Sequence, residues 1–377
     1  MNSSEGRIVG LDAWRAMLML GGLFVHCSVA LEHTHVFYVV EMVSQAFRMG
    51  VFFALSGYLS ALTLRLVPSD VWLSRRLRQL GYPTMTGVLL LSPAMWWLLT
   101  SDQSFRGSIP LPFEWWHLWF LWGLLLASAL LRLLDRNAAI WRSILAIGER
   151  MAPPALMLAT AVLTAVMFAL TPPVMFALLS PRLVQAYANV QLIFGYLPTF
   201  LFGVLAARSE HIRLGLLRSS RLAAAILAVI AVCYVLTGAG LLDEGEPYVR
   251  FIGAALCPPL VFAIVLRTAS TIRRVPRIVQ GLTDASYTIY LLHLPLAVLI
   301  NTRLYPPTLH PNLRYAVTIL LAGGLSWLAH VLIVRRLRVA ALLLNGRTDG
   351  RVSGGRAEVP IVDPSAAPVG DGLAAAA

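Results

Sequence analysis

Residues 9–29 read VGLDAWRAMLMLGGLFVHCSV, a run long enough to cross the roughly 30 Å hydrocarbon core of a bilayer as one helix. It holds two groups that such a helix does not carry idly, Arg15 and His26. Ionisable side chains at membrane depth are costly and face a bundle interior or a polar pathway, so this pair is the first functional candidate in the chain. With about 1.5 Å of rise per residue the two stand about 16 Å apart along a regular helix, too far to be direct partners. One group near each membrane face suits a substrate that reaches across. The run lacks the compact basic leader of a signal peptide and reads as a retained span.

Working outward, the 377 residues are 58% hydrophobic and only 13% charged, with a mean hydropathy of +0.74. Such a chain is a polytopic membrane protein and not a soluble globular domain. Ten spans are expected, at 9–29, 44–64, 80–99, 115–133, 152–172, 189–207, 220–240, 249–267, 285–301 and 315–334. The fold class is therefore all-α, a membrane helical bundle of about ten transmembrane helices. Arginines collect in alternate loops: Arg65, Arg75, Arg76 and Arg78; Arg132, Arg136, Arg142 and Arg150; Arg208, Arg213, Arg218 and Arg221; Arg267, Arg273, Arg274 and Arg277. The other loops hold only Arg106, Arg182, Arg250, or Arg303 with Arg314. The positive-inside rule then makes both termini cytoplasmic.

The net charge of +12 is accounted for by these short membrane-flanking loops and by anionic headgroups, so no nucleic-acid partner is expected. There is no lysine, which removes Schiff-base and lysine-base mechanisms. Cys27, Cys233 and Cys257 fall in spans, with neither a disulfide framework nor metal-like spacing, and no metal is expected. Residues 1–340 read as one membrane domain and 341–377, rich in Gly, Pro and Ala, as a disordered cytoplasmic tail. The absence of an internal repeat disfavours a transporter built from duplicated halves.

Polar groups gather at two levels. On the inner side Asp12 lies one helical turn from Arg15 and either pairs with it or leaves it to a cofactor; the two roles are compatible. LSRRLRQLGYP at 73–83 brings Arg75, Arg76 and Arg78 to the entrance of span three, either a diphosphate clamp or a topology signal. On the outer side, LEHTHVFYVVE at 31–41 supplies Glu32, His33, His35 and Glu41 near His26, and Arg48 opens the next span. Glu32 is placed to orient His26 as a base, while His33 and His35 are either site or solvated loop. Glu114 and His117 enter from the same face beside Trp115 and Trp116, and Trp96 with Trp97 reads as an interfacial belt. In span nine Tyr290 and His293 precede Pro295, as interior hydrogen-bonding residues or as part of the site.

Taken together these segments resemble the acyltransferase-3 family of integral membrane acyltransferases over residues 10–335. The resemblance rests on Arg15 and His26 separated by ten residues, and on LDAWRAMLML, FRMGVFFALSGYLS, HLWFL, YLP and IYLLHLPL in that order. Within the family the chain is more similar to the bacterial glucan succinyltransferases. The resemblance implies that Arg15 and His26 are required for activity and that Arg75 and Arg78 meet a cytoplasmic acyl donor. Those relatives can show two adjacent histidines where this chain has His293 followed by Leu294, which leaves His293 alone as the candidate.

The implied reaction moves an acyl group from cytoplasmic acyl-CoA, a co-substrate and not a resident cofactor, to hydroxyls of a periplasmic glucan across the bacterial inner membrane. Succinyl-CoA is the favoured donor and acetyl-CoA the alternative, the latter acting on another envelope polysaccharide. A sugar transporter is the competing class, since buried polar groups also line transport pathways. In the enzyme reading His26 is the base, Glu32 its orienting partner, and His117 or Arg48 the oxyanion donor, with Arg48 alternatively on a succinyl carboxylate. His33, His35, Glu114, Tyr290 and His293 complete the acceptor side. Direct transfer is preferred to a Cys27 nucleophile, because adjacent helical residues point about 100° apart.

Overall fold

A computed structural model of the chain describes residues 9–101, 111–241, 245–272, 274–305 and 308–347, apart from the side chains at 182, 185 and 186. Arg106, Arg273 and the segment from 348 onward, used in the sequence argument, lie outside the described residues. Every described regular element is a helix, the form in which a membrane span satisfies its own backbone. Eight stretches are long and apolar enough to cross a bilayer. They are α2 (His35–Leu64), the turn Trp116–Leu118 with α5 (Trp119–Arg136), α7 (Pro153–Leu178) and, after the short α8 (Pro181–Ala186), α9–α10 (Val190–Gly195 and Leu197–Arg208). After these come α11 (Glu210–Gly238), α12 (Glu246–Thr271), α13 (Arg277–Arg303), and α14 (Pro311–Ala329) with the π turn His330–Val334.

The remaining two of the ten expected spans fall outside these eight. The first helix, α1, covers Val9–His26 and includes Asp12 and Arg15. The other is a composite rod, α3 (Ser69–Thr86), a π turn (Gly87–Leu91) and α4 (Ser92–Thr100), whose first half holds Arg75, Arg76 and Arg78. Asp12 and Arg15 lower the apolar character of α1, and Arg75, Arg76 and Arg78 that of α3.

Lipid tails are as apolar as leucine, so helices in a bilayer associate through close packing and not through water exclusion. The α2–α10 contact shows how. A side chain on Gly57 would collide with the Phe200 carbonyl oxygen, and one on Gly203 with the Ala54 carbonyl oxygen, so the two backbones interlock. Helices α2 and α13 are central, each with 67% of its apolar window buried, whereas α7, α11 and α14 bury only 22, 17 and 28%. Leu178, Val229, Val235 and Leu320 on the outer helices stand exposed, the pattern of a lipid-facing rim. A break falls at Tyr196, between α9 and α10 and two residues before Pro198.

At the arginine-rich end several guanidiniums are tied to acids. The Arg132 guanidinium donates to Asp70 at 2.5 Å and Arg208 to Asp135 at 3.1 Å, while Arg65 donates to the Arg208 carbonyl at 3.0 Å. The Arg132 hydrogen bond, then its charge, holds the Asp70 carboxyl below the usual carboxylate range. The amphipathic helix α6 (Ala138–Arg150) lies here, its first turn capped by Asn137 Oδ1 accepting from the Ile140 amide at 3.1 Å.

The packed chain extends past residue 341, where the tail was expected to begin. Helix α15 (Arg338–Asn345) returns against α3, and Gly346 takes a left-handed φ of 62° with its backbone against Gln79. The Thr288 hydroxyl donates to Asn345 Oδ1 at 2.9 Å and accepts from His330 Nδ1–H at 2.8 Å. This chain of bonds fastens α15 to α13 and α14.

Candidate active site

Helix α1 ends at His26, and an end inside a bundle needs partners for its last carbonyls. The Tyr315 hydroxyl donates to the Phe24 carbonyl, and Asn301 Nδ2 donates to those of Cys27 at 3.0 Å and Val29 at 2.7 Å. Asn301 Oδ1 accepts from Thr318 at 2.7 Å, so one buried amide joins α1, α13 and α14. Asn301→Leu strands two buried carbonyls and one hydroxyl. It is expected to cost about 1–3 kcal/mol, read as a lower thermal midpoint in detergent; an unchanged midpoint would contradict this account of how His26 is held.

Two further histidines meet His26. His117 sits in the short turn Trp116–Leu118, where Trp116 has a positive φ of 46° and its carbonyl accepts from Asn189 Nδ2 at 3.1 Å. A non-glycine residue held there is strained, and the surrounding bonds fix the ring that follows. His293 lies on α13. The ring centroids are 5.8 Å apart for His26 and His117, 5.4 Å for His26 and His293, and 5.2 Å for His117 and His293. His117 and His293 are buried, whereas His26 keeps partial exposure.

Bonding decides which ring nitrogens carry protons. A carbonyl only accepts, so His117 donates Nε2–H to the Tyr290 carbonyl at 3.0 Å and His293 donates Nδ1–H to the Ile289 carbonyl at 3.0 Å. The lone pairs are left on His117 Nδ1 and His293 Nε2, and both atoms are buried without a partner. Tyr290 returns the contact, its hydroxyl donating to the His117 carbonyl at 2.5 Å. Neutral imidazoles with free lone pairs suit proton acceptance. Arg48 joins them from α2. Its Nε donates to Ser44 Oγ at 2.7 Å, and among the described residues it forms no ion pair.

From this cluster a stripe of rings leads toward the arginine-rich end. On α13 the Tyr290 ring lies 6.1 Å from His293 and 6.4 Å from Tyr287. Tyr287 is within electrostatic range of Arg76, and Arg76 of Arg15. Arg76 donates to Ser60 Oγ and lies 5.8 Å over the Trp72 ring. Arg15 stands 3.7 Å from Asp12. Two guanidiniums brought together inside a bundle favour an anion beside them.

Among the arginines of α3 only Arg76 turns inward; Arg75 and Arg78 are exposed. Helical phase explains this, because Trp72, Arg76, Leu80 and Thr84 follow at intervals of four on the buried face, a pattern readable in the sequence. The other outer candidates go elsewhere. Glu32, His33 and His35 are exposed, with His33 at 6.2 Å from the Phe37 ring and His35 at 6.2 Å from Tyr38. Glu32 makes no hydrogen bond to His26, since α1 ends there and the chain turns away through Ala30 at a φ of 59°. Glu41 accepts from Gln45 at 2.7 Å. Glu114 is half-buried, and burial raises its carboxyl above the usual range.

Cys27 is fully buried in an apolar cluster with Leu23, Phe37 and Tyr315, packed as core. No group of three His, Cys, Asp or Glu side chains among the described residues is arranged to hold a metal ion. Ser44, Ser60 and Asn301 carried no separate signal in the sequence, being small or amide residues inside apolar runs.

A sequence profile described as an acyltransferase domain, Acyl_transf_3, matches residues 8–331. No curated protein and no solved structure matches the chain.

Proposed function

Because the chain belongs to the Acyl_transf_3 family and is a multi-pass membrane acyltransferase, we propose that it carries an acyl group across the bilayer, from cytoplasmic acyl-CoA to a hydroxyl of a periplasmic glucan. The observation that carries this reading is the meeting of His26, His117 and His293 at one end of the bundle, opposite the end where Arg15 and Arg76 lie within electrostatic range of each other. The positive-inside rule assigns the arginine end, and with it both termini, to the cytoplasm of a bacterial inner membrane.

The donor's nucleotide carries several phosphates and stays with Arg15 and Arg76, with Arg75 and Arg78 exposed at the entrance. Its uncharged arm follows Tyr287 and Tyr290 to the histidines, so the charge of the nucleotide never enters hydrocarbon. His26, the partly exposed ring, meets the acceptor. Its lone pair takes the hydroxyl proton as the oxygen attacks the thioester carbon. The carbon–sulfur bond then breaks with its electron pair on sulfur, and the imidazolium returns the proton to the thiolate. His117 Nδ1 and His293 Nε2 accept hydrogen bonds from other hydroxyls of the acceptor, since the attacking hydroxyl gives its one proton to His26, and so hold it in line. Glu114 and Tyr290 border this side, and Glu32, His33 and His35 stand at its outer mouth.

Succinyl-CoA is the favoured donor and acetyl-CoA the runner-up. Purified protein given each donor with a β-glucan is expected to release CoA and to add succinyl mass to the sugar. Acetyl mass alone would reverse the donor assignment. Translocation of unmodified sugar without CoA release would overturn the enzyme reading.

A further inference from the structure

We infer that the thioester carbonyl of the donor seats over Gly22, with the Arg48 guanidinium donating to its oxygen, an assignment that rests on the acyl-transfer reading above. Gly22 is buried on α1, one helical turn before His26. The point where a side chain on it would begin lies 3.3 Å from Arg48 Nη1, 3.7 Å from His293 Nε2 and 3.8 Å from His26 Cδ2. Groups from three helices thus face one small space that the glycine leaves open.

Acyl transfer needs such a place, within about 3 Å of a proton acceptor and of a donor aimed at the developing oxyanion. Arg48 and His293 are each pinned by a bond on the far side. Arg48 Nε is engaged by Ser44 Oγ at 2.7 Å, which leaves Nη1 toward the space. His293 Nδ1–H is engaged by the Ile289 carbonyl at 3.0 Å, and its Nε2 is unpartnered in a residue only 1% exposed. Gly21 belongs to the same arrangement, since a Cβ there would stand 3.0 Å from Arg48 Cδ. Successive glycines on α1 therefore admit the arginine and keep the seat clear.

As the acceptor oxygen bonds to the thioester carbon, the carbonyl electron pair moves onto its oxygen, where Arg48 Nη1 donates. An arginine stays protonated at any working pH and so remains a donor. When the carbonyl re-forms, the carbon–sulfur bond breaks with its pair on sulfur, and the proton taken by His26 passes to the thiolate.

Gly22→Ala fills the seat, with Gly324→Ala as control because no atom lies within 4 Å of a Cβ there. Gly22→Ala is expected to lower kcat at least about 100-fold with succinyl-CoA and acetyl-CoA alike, since both present the same carbonyl; the control keeps wild-type turnover. Arg48→Gln is expected to lower kcat by a similar factor with little change in donor KM. If Gly22→Ala is not recovered folded, this second variant decides the matter. Retained acetyl transfer with lost succinyl transfer would mean that the space holds the acyl tail, and wild-type kcat in either variant would reject the seat while leaving acyl transfer standing. A wild-type protein that transfers neither acyl group removes the acyl-transfer reading and the seat together.

Discussion

His26→Ala is expected to reach the membrane folded and to form ester at least about 1,000-fold more slowly than wild type, the upper range for loss of a positioned base. Three features set the size of this effect. His26 is the partly exposed member of the cluster, so it alone can meet an incoming acceptor from outside. It lies one turn after Gly22 on the same helix face. Its two neighbours are buried, each held through one nitrogen by the Tyr290 or Ile289 carbonyl, so neither ring is presented to the outside. His33→Ala and His35→Ala, changes at exposed residues, should fall within a few-fold of wild type. His330→Ala is the control for a buried histidine outside the site: it breaks the bond to Thr288 and should lower the thermal midpoint more than turnover. Initial rates of CoA release measure all four. Normal turnover by His26→Ala, or a larger loss in His33→Ala, would remove His26 from the chemistry.

Arg76→Gln is the second large effect, and it should appear in donor affinity. A charge-assisted hydrogen bond is worth about 1.5–3 kcal/mol, so losing one inward guanidinium should raise KM for acyl-CoA by about 10- to 100-fold with kcat within a few-fold. Arg75→Gln and Arg78→Gln should raise it less, because both side chains are exposed on α3 and exposed pairs are worth little. The resemblance to known acyltransferases had pointed to Arg75 and Arg78, whereas the fold points to the arginine between them. KM measured for the three variants separates the two. A greater rise in Arg75→Gln or Arg78→Gln would place the donor's phosphates at the entrance and not inside the bundle.

Much of the topology was legible because apolar runs of span length have one main physical explanation. His26, His117 and His293 were legible for a related reason: imidazoles at membrane depth are costly and stand out. That they come within 5.2–5.8 Å of one another was not, because the convergence depends on how α1, α13 and the turn before α5 pack. Neither was the ring tautomer of His117, which is set by the Tyr290 carbonyl brought from α13. Glu32 was nominated by nearness in sequence to His26, and the end of α1 carries it outward instead. Arg76 could have been singled out from the four-residue spacing it shares with Trp72, Leu80 and Thr84. Gly22 could not, since its importance lies in what surrounds the side chain it lacks. The boundary at 341 followed composition, yet Asn345 is buried through its bond to Thr288, a contact composition does not announce.

The central claim is transfer between two ends of one bundle, and sidedness tests it most directly. The protein is reconstituted in sealed vesicles of known orientation, with acyl-CoA supplied only at the arginine-rich end and glucan only at the histidine end, and the glucan is then weighed by mass spectrometry. Acylated glucan in this arrangement, with free CoA on the donor side and no product when the two substrates are exchanged, is the predicted result. Product formed only when donor and glucan share one side would contradict it.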